Sequence, residues 1–241
     1  MNYLVYCIFR GPLPAALEIP DGVAGYRVFT ANYNGLGAAL SKLGEPHAPS
    51  STSDLLSYER VVESFYRYLT VIPVRFGCRV ECPYDAVVML RENHRAYSAL
   101  LRELEGLAEV SIQVLLENSL AAGETDRSAN LPKWFARRAP MPGAAYWEAK
   151  KLGCQSDQQA TTVQHTLVED LCASLHGSFV RHKVEIPCSK RSHLLSLYFL
   201  VPRDAVETFR HAARQLPANS SFKLLLGGPW PPYNFVDVLQ P

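Results

Sequence analysis

Cys78 and Cys82 are separated by three residues, and Cys172 and His176 stand at i, i+4 in this chain of 241 residues. On a helix the second pair presents two ligands to one side, so the four together are candidates for a thiolate–imidazole zinc set, or for a thiol-dependent enzyme. The chain has six cysteines spread through apolar stretches but no CxxC. Cys78 also falls at the end of a strand-like run, so buried reduced thiols compete with the metal reading. His94 lies on the apolar stripe of a predicted helix with no Ser or Cys nucleophile motif beside it, the setting of a hydrogen-bonded core histidine. "HGS" at 176–178 sets an imidazole next to a hydroxyl, at a helix end where Gly177 acts as a cap. Glu59 and Glu63 are one helical turn apart, a spacing that general acid–base chemistry can use and that solvated helix faces also produce. The chain contains no GxSxG, GxxxxGK[ST], HExxH or GxGxxG. "NGLG" at 34–37 reads as a turn. No catalytic constellation emerges, and no cofactor is implied.

Composition narrows the classes further. Hydrophobic residues are 48% and charged residues 20% of the chain, the balance of a folded domain rather than a disordered one. Lys plus Arg number 24 against 23 Asp plus Glu, a formal charge of +1. That balance argues against a dedicated nucleic-acid binder, since phosphate neutralisation needs a basic face, although "KWFARRA" forms a small basic cluster. "HLLSLYFLV" lacks the Gly and basic pattern of an RRM-type strand. The start "MNYLVYCIFRG" has neither a basic leader nor a small-residue cleavage site, so no signal peptide is read there. No run is long enough to cross a membrane as a helix. The expectation is a cytoplasmic protein with no nucleic-acid or membrane partner.

The elements that would position these residues form an α+β chain. "NYLVYCIF" is apolar at nearly every position, as in a central strand covered on both faces. "GYRVFTANY" is a second strand, and the following "NGLGAALSKLGEPHAPSSTS" is read as a short helical turn decaying into a loop. From Asp54, residues Leu55, Tyr58, Val62, Phe65 and Leu69 recur at helical spacing behind N-cap candidates Ser51 to Ser53. "TVIPVRFGCRV" is a strand broken by Pro73 and Gly77. One helix is predicted over 83–105, begun by Pro83 and ended by Gly106, with Val87, Leu90, His94, Tyr97, Leu101 and Leu104 inward.

A domain boundary is placed there, giving an N-terminal α+β domain at 1–106 with three strands and two helices. "LAEVSIQVLL" alternates as a half-buried strand, Glu109, Ser111 and Gln113 outward. A long polar connection at 117–142 follows and reads as an insertion. Then come a helical stretch from "GAAYWEAKKLG" through "TTVQHTLVEDLCASL", two strands "SFVRHKVEI" and "HLLSLYFLV", the helix "RDAVETFRHAARQL" and a last strand "SFKLLLGG". Strand, helix, strand, strand, helix, strand is the split βαβ order, so 107–241 is expected to be a ferredoxin-like domain with an antiparallel sheet.

What remains is "GGPWPPYNFV". Pro229, Pro231 and Pro232 cannot donate to a ladder, so the last strand is expected to end near Gly228. The stiffened tail, 229–241, carries Trp230, Tyr233 and Phe235 and loses little entropy on docking.

This run closely resembles the C-terminal signature of the gas vesicle protein F/L family. Further stretches agree in order along nearly the whole chain: "YLVYCIF", "YERVVE" at 58–63, "VIPVRFG" at 71–77 and "LYFLVP" at 197–202. Two departures are Tyr58, where members commonly carry His, and "GAAYWEAKK" in place of a "GRAYL" pattern. The resemblance implies a non-enzymatic minor gas vesicle component or assembly protein. Its implied fold is two α+β domains, and its implied partner is the hydrophobic major shell protein, gas vesicle protein A. The family-motif candidates for structure or partner binding are Tyr58, Glu59, Arg75, Phe76, Gly77, Gly228, Pro229, Trp230, Pro231, Pro232, Tyr233 and Phe235. The "VRFG" turn and the tail are expected to form one structural unit, with the tail running back over the N-terminal domain.

Overall fold

The computed structural model describes residues 2–44, 51–116, 162–185, 194–216 and 222–236. The expected insertion at 117–142, "KWFARRA" and "GAAYWEAKK" lie outside the described residues. Two compact units are present, Met1–Ala108 with Trp230–Pro241, and Glu109–Pro229.

The first unit is built on β1 (Asn2–Arg10), whose residues Leu4 to Phe9 have no exposed surface. Burial on both faces suits its unbroken apolar run. β1 pairs antiparallel with β3 (Leu36–Leu43) on one side. On the other it pairs with β4 (Val71–Pro73) and β5 (Arg79–Val80). β2 (Val28–Tyr33) pairs with β3 and gives the strand order β2-β3-β1-β4, with β5 also on β1.

Residues 36–43 therefore form a strand and not the helical turn expected from their composition. The register brings Tyr33 opposite Leu36 across Asn34 and Gly35, both at positive φ (42° and 81°). That is the two-residue Asn-Gly hairpin, whose left-handed turn matches strand twist.

Helix α1 (Thr52–Tyr66) starts in a capping box. The Asp54 amide donates to Ser51 Oγ (3.0 Å) and the Ser51 amide to Asp54 Oδ2 (3.3 Å). These satisfy two amides that a helix start leaves without intrahelical partners. Leu55, Tyr58, Val62 and Phe65 are buried as their spacing required, and Glu63 and Arg67 are exposed.

The single helix expected over 83–105 is two, α2 (Pro83–Glu92) and α3 (His94–Glu103). Asn93, at φ −102° and ψ 12°, departs from helical geometry, and its side-chain amide donates to the Met89 carbonyl (3.0 Å). A side chain that bonds its own backbone competes with helix continuation. Both α1 and α3 pack on β1 and β4, and α2 packs on β2, β3 and β5. The described part of this unit thus holds five strands and three α-helices, where the sequence suggested three and two.

The second unit holds β6 (Leu107–Leu116, which begins in the first unit) and α4 (Thr162–Ser174). They are followed by β7 (Arg181–Glu185), β8 (Leu194–Pro202), α5 (Val206–Arg214) and β9 (Phe222–Trp230). Its strand order is β7-β8-β6-β9. Val206, Phe209, Ala213 and Leu216 are buried as read from their spacing, and Phe209 packs on Phe199 at 5.2 Å between ring centroids.

Two expectations fail in this unit. β6 is not half-exposed: Glu109 and Ser111 are 3% and 9% exposed, consistent with an interior position in the sheet and a covered second face. β9 does not stop at Gly228 but continues through Pro229 to Trp230. It is the end strand of the order, with a ladder on one side only, which is where a sheet tolerates proline.

Candidate functional site

Most of the family-motif residues belong to the first unit, around the hydroxyl of Tyr58. A register shift between Val5 and Cys7 leaves Tyr6 as an extra residue in β1, a bulge that disrupts the ladder locally. The Tyr58 hydroxyl reaches across from α1. It bonds the carbonyls of Tyr6 (2.9 Å) and Val74, with that of Val5 at 3.3 Å. One phenol thus ties α1 to β1 and to the chain just after β4.

The Tyr58 ring stacks on Tyr6 (5.0 Å, 22°) and meets Phe76 edge-on (5.1 Å, 71°). Tyr6 in turn bonds Ser41 Oγ at 2.8 Å and accepts the Val23 amide at 3.0 Å. Burial pushes the Tyr58 phenol well above its usual pKa, and the nearby groups of Tyr233, Cys7, Cys78 and Tyr6 push it further in the same direction. It stays neutral and donates its proton, which three surrounding carbonyls require.

The "VRFG" segment is a tight turn after β4. Arg75 is exposed, Phe76 is half-buried against Tyr58, and Gly77 takes φ 91°, where the Cys78 amide returns to the Arg75 carbonyl (3.1 Å). The Cys78 carbonyl then accepts the Val5 amide (3.0 Å), leading into β5. Glu59, beside Tyr58 on α1, is half-buried, whereas Glu63, one turn on, is exposed.

In the tail, Gly228 takes φ 106°, Pro229 is exposed and Trp230 is half-buried. Pro231 and Pro232 are buried, Tyr233 is half-buried, and Asn234 and Phe235 are 5% and 4% exposed. A short 3₁₀ turn closes the segment, with the Tyr233 amide on the Pro231 carbonyl (2.8 Å) and the Phe235 amide on that of Pro232 (3.2 Å). Tyr233 brings the tail within electrostatic reach of Tyr58. Tyr6 and Asn234 were not singled out from sequence. A tyrosine inside an otherwise apolar strand, and an amide between two aromatics, were the available signals, since a buried polar group needs a partner.

The residues considered for chemistry are dispersed. Cys78 and Cys82 belong to the first unit, Cys172 and His176 to the second. The described cysteines Cys7, Cys78, Cys82 and Cys172 are free thiols, and burial raises the pKa of Cys7, Cys78 and Cys172. Among the described residues no group of three or more His, Cys, Asp or Glu is placed to hold a metal. His94 lies at the N-terminus of α3, edge-on to Tyr33 (6.0 Å) with Nε2 3.0 Å from the Asn34 carbonyl. Ser178 Oγ donates to the Leu175 carbonyl at 2.5 Å, a helix-end bond. No helix among the described residues is long and apolar enough to cross a membrane.

Comparison with known proteins points one way. The chain is 22% identical over 223 residues to gas vesicle protein F2 of Halobacterium salinarum, covering 90% of this chain and 84% of that protein. It is 27% identical over 249 residues to gas vesicle protein F of a Streptomyces species, covering 98% of this chain and all of that one. The crystal structure of gas vesicle protein GvpF from Microcystis aeruginosa has a similar fold. Its TM-score is 0.68 at 16% identity, over 97% of this chain and 98% of that one. Residues 2–237 match the family described as gas vesicle synthesis protein GvpL/GvpF, and the chain belongs to that family.

Proposed function

We propose that this protein is a minor gas vesicle component that binds the hydrophobic major shell protein, gas vesicle protein A. In this reading it supports vesicle formation by keeping that protein from aggregating before it joins the wall. The observation that carries the reading is the family match over residues 2–237. Physical support comes from the surface. A shell subunit exposes apolar strands and helices until it is assembled, and these aggregate unless covered. The chain offers exposed aromatics, Phe29, Tyr68 and Tyr84, at 36%, 46% and 65% exposure. It also has strands at sheet ends, β2 and β7, and an added strand or apolar helix docks on such features. The proposed role is binding, not catalysis. We further infer that the second unit is ferredoxin-like, a reading supported by its β6-α4-β7-β8-α5-β9 order and its β7-β8-β6-β9 sheet.

The test pairs capture of purified shell protein by this chain with deletion of its gene in a vesicle-forming host. The expected result is capture together with loss or malformation of vesicles. Normal vesicles in the deletion strain, with no capture, would overturn the proposal.

A further inference from the structure

We propose that the first unit contains a groove beside Tyr58 and the Arg75–Cys78 turn that accepts a turn-closed proline–aromatic segment. In this chain the groove is filled by Pro231–Phe235, the piece that closes that unit's core. The inference stands apart from the proposed partner.

Three observations carry it. The first unit is discontinuous in sequence, since residues 230–241 belong with residues 1–108 and not with the strand that delivers them. Within the segment, residues 230–236 are all buried or half-buried, as expected of docked chain. Pro229 is exposed, Pro231 and Pro232 are buried, and Asn234 and Phe235 are almost wholly covered. Finally, the segment satisfies part of its own backbone. Its two prolines have no N–H to satisfy, and the amides of Tyr233 and Phe235 bond back to Pro231 and Pro232. Few donors need partners from the groove, and little backbone freedom is lost on docking. Tyr233 lies within electrostatic reach of the Tyr58 phenol, against which Phe76 packs. The partner chemistry the groove fits is therefore a short peptide of the Pro-Pro-Tyr-Asn-Phe kind, here supplied in cis.

Hydrogen exchange on the full-length chain tests this. Phe235→Ala should speed exchange of the Val5 and Val74 amides by about tenfold or more, while the β7–β8 ladder, including the Val180 amide, stays at the parent rate. A second variant, the chain ended after Pro229, should lose protection at the same amides. A synthetic peptide of residues 230–241 should restore it saturably, and the same peptide with alanine in place of Phe235 should not. Unchanged exchange in Phe235→Ala would overturn the proposal, as would equal loss of protection in both units. If the shortened chain does not fold, the Phe235→Ala exchange pattern alone decides.

Discussion

Tyr58 illustrates how one side chain can be legible in position and illegible in role. Helical spacing put it on the inward stripe of α1, and it is 1% exposed. Its task depends on the bulge at Tyr6 in β1, and no local pattern in "YLVYCIF" announces a register shift. Removing the hydroxyl leaves buried carbonyls without that donor. Tyr58→Phe should therefore cost about 1–3 kcal/mol of unfolding free energy in urea melts, with little change in the urea m-value. The same phenol governs behaviour in alkali. Its pKa is raised above 10.0 in the folded chain, as are those of Tyr6 and, to about 12, Tyr97. The unfolded chain releases these protons first, so the stability they contribute is intact below about pH 10 and is lost as pH rises through the folded values. The raised thiols of Cys7, Cys78 and Cys172 act in the same direction from a lower unfolded value, so melting temperature should hold steady up to about pH 8 and then fall, and the fall above about pH 10 should be shallower in Tyr58→Phe. An equal slope in parent and variant would show that Tyr58 does not control the alkaline limb.

At the scale of elements, long periodic stretches were readable and short ones were decided by turns. The α1 stripe and the β8 run needed nothing beyond their own spacing. β3 was misread because "LGAALSKL" has the small and apolar composition of either state, and the deciding information sat outside it in Asn34 and Gly35. The same holds at Asn93, where one side chain bonding its own backbone parts α2 from α3. Two substitutions separate these local devices from the packing they serve. Ser51→Ala removes one side of the capping box and should cost about 1 kcal/mol. Gly35→Ala places a Cβ at φ 81°, with nothing within 4 Å of it, so its cost is backbone strain alone. That cost should be about 1 kcal/mol, read from urea melts. A cost well above this for Gly35→Ala would mean that the turn also carries packing the structure does not place there.

For the whole molecule, sequence reading put the domain boundary at 106 and 107, by counting strands and helices in order. The folded chain divides between Ala108 and Glu109 and returns residues 230–241 to the first unit. A segment that rejoins its unit from the far end of the chain leaves no periodic signal. Only its own composition, prolines and aromatics after two glycines, marked it as chain that needs a surface. The surface the molecule offers a partner is nearly neutral in sum, 24 basic against 23 acidic residues. If binding to the shell protein rests on exposed apolar and aromatic groups, charge contributes little to it. Screening shortens the Debye length from about 10 Å at 0.1 M to about 3 Å at 1 M salt, which weakens exposed ion pairs and leaves apolar burial intact. The dissociation constant for the shell protein should then change by less than about threefold between roughly 0.1 and 1 M sodium chloride, and sodium sulfate should tighten it. An affinity that drops by more than about tenfold over that range would instead assign the interface to paired charges and remove the exposed aromatics from the argument.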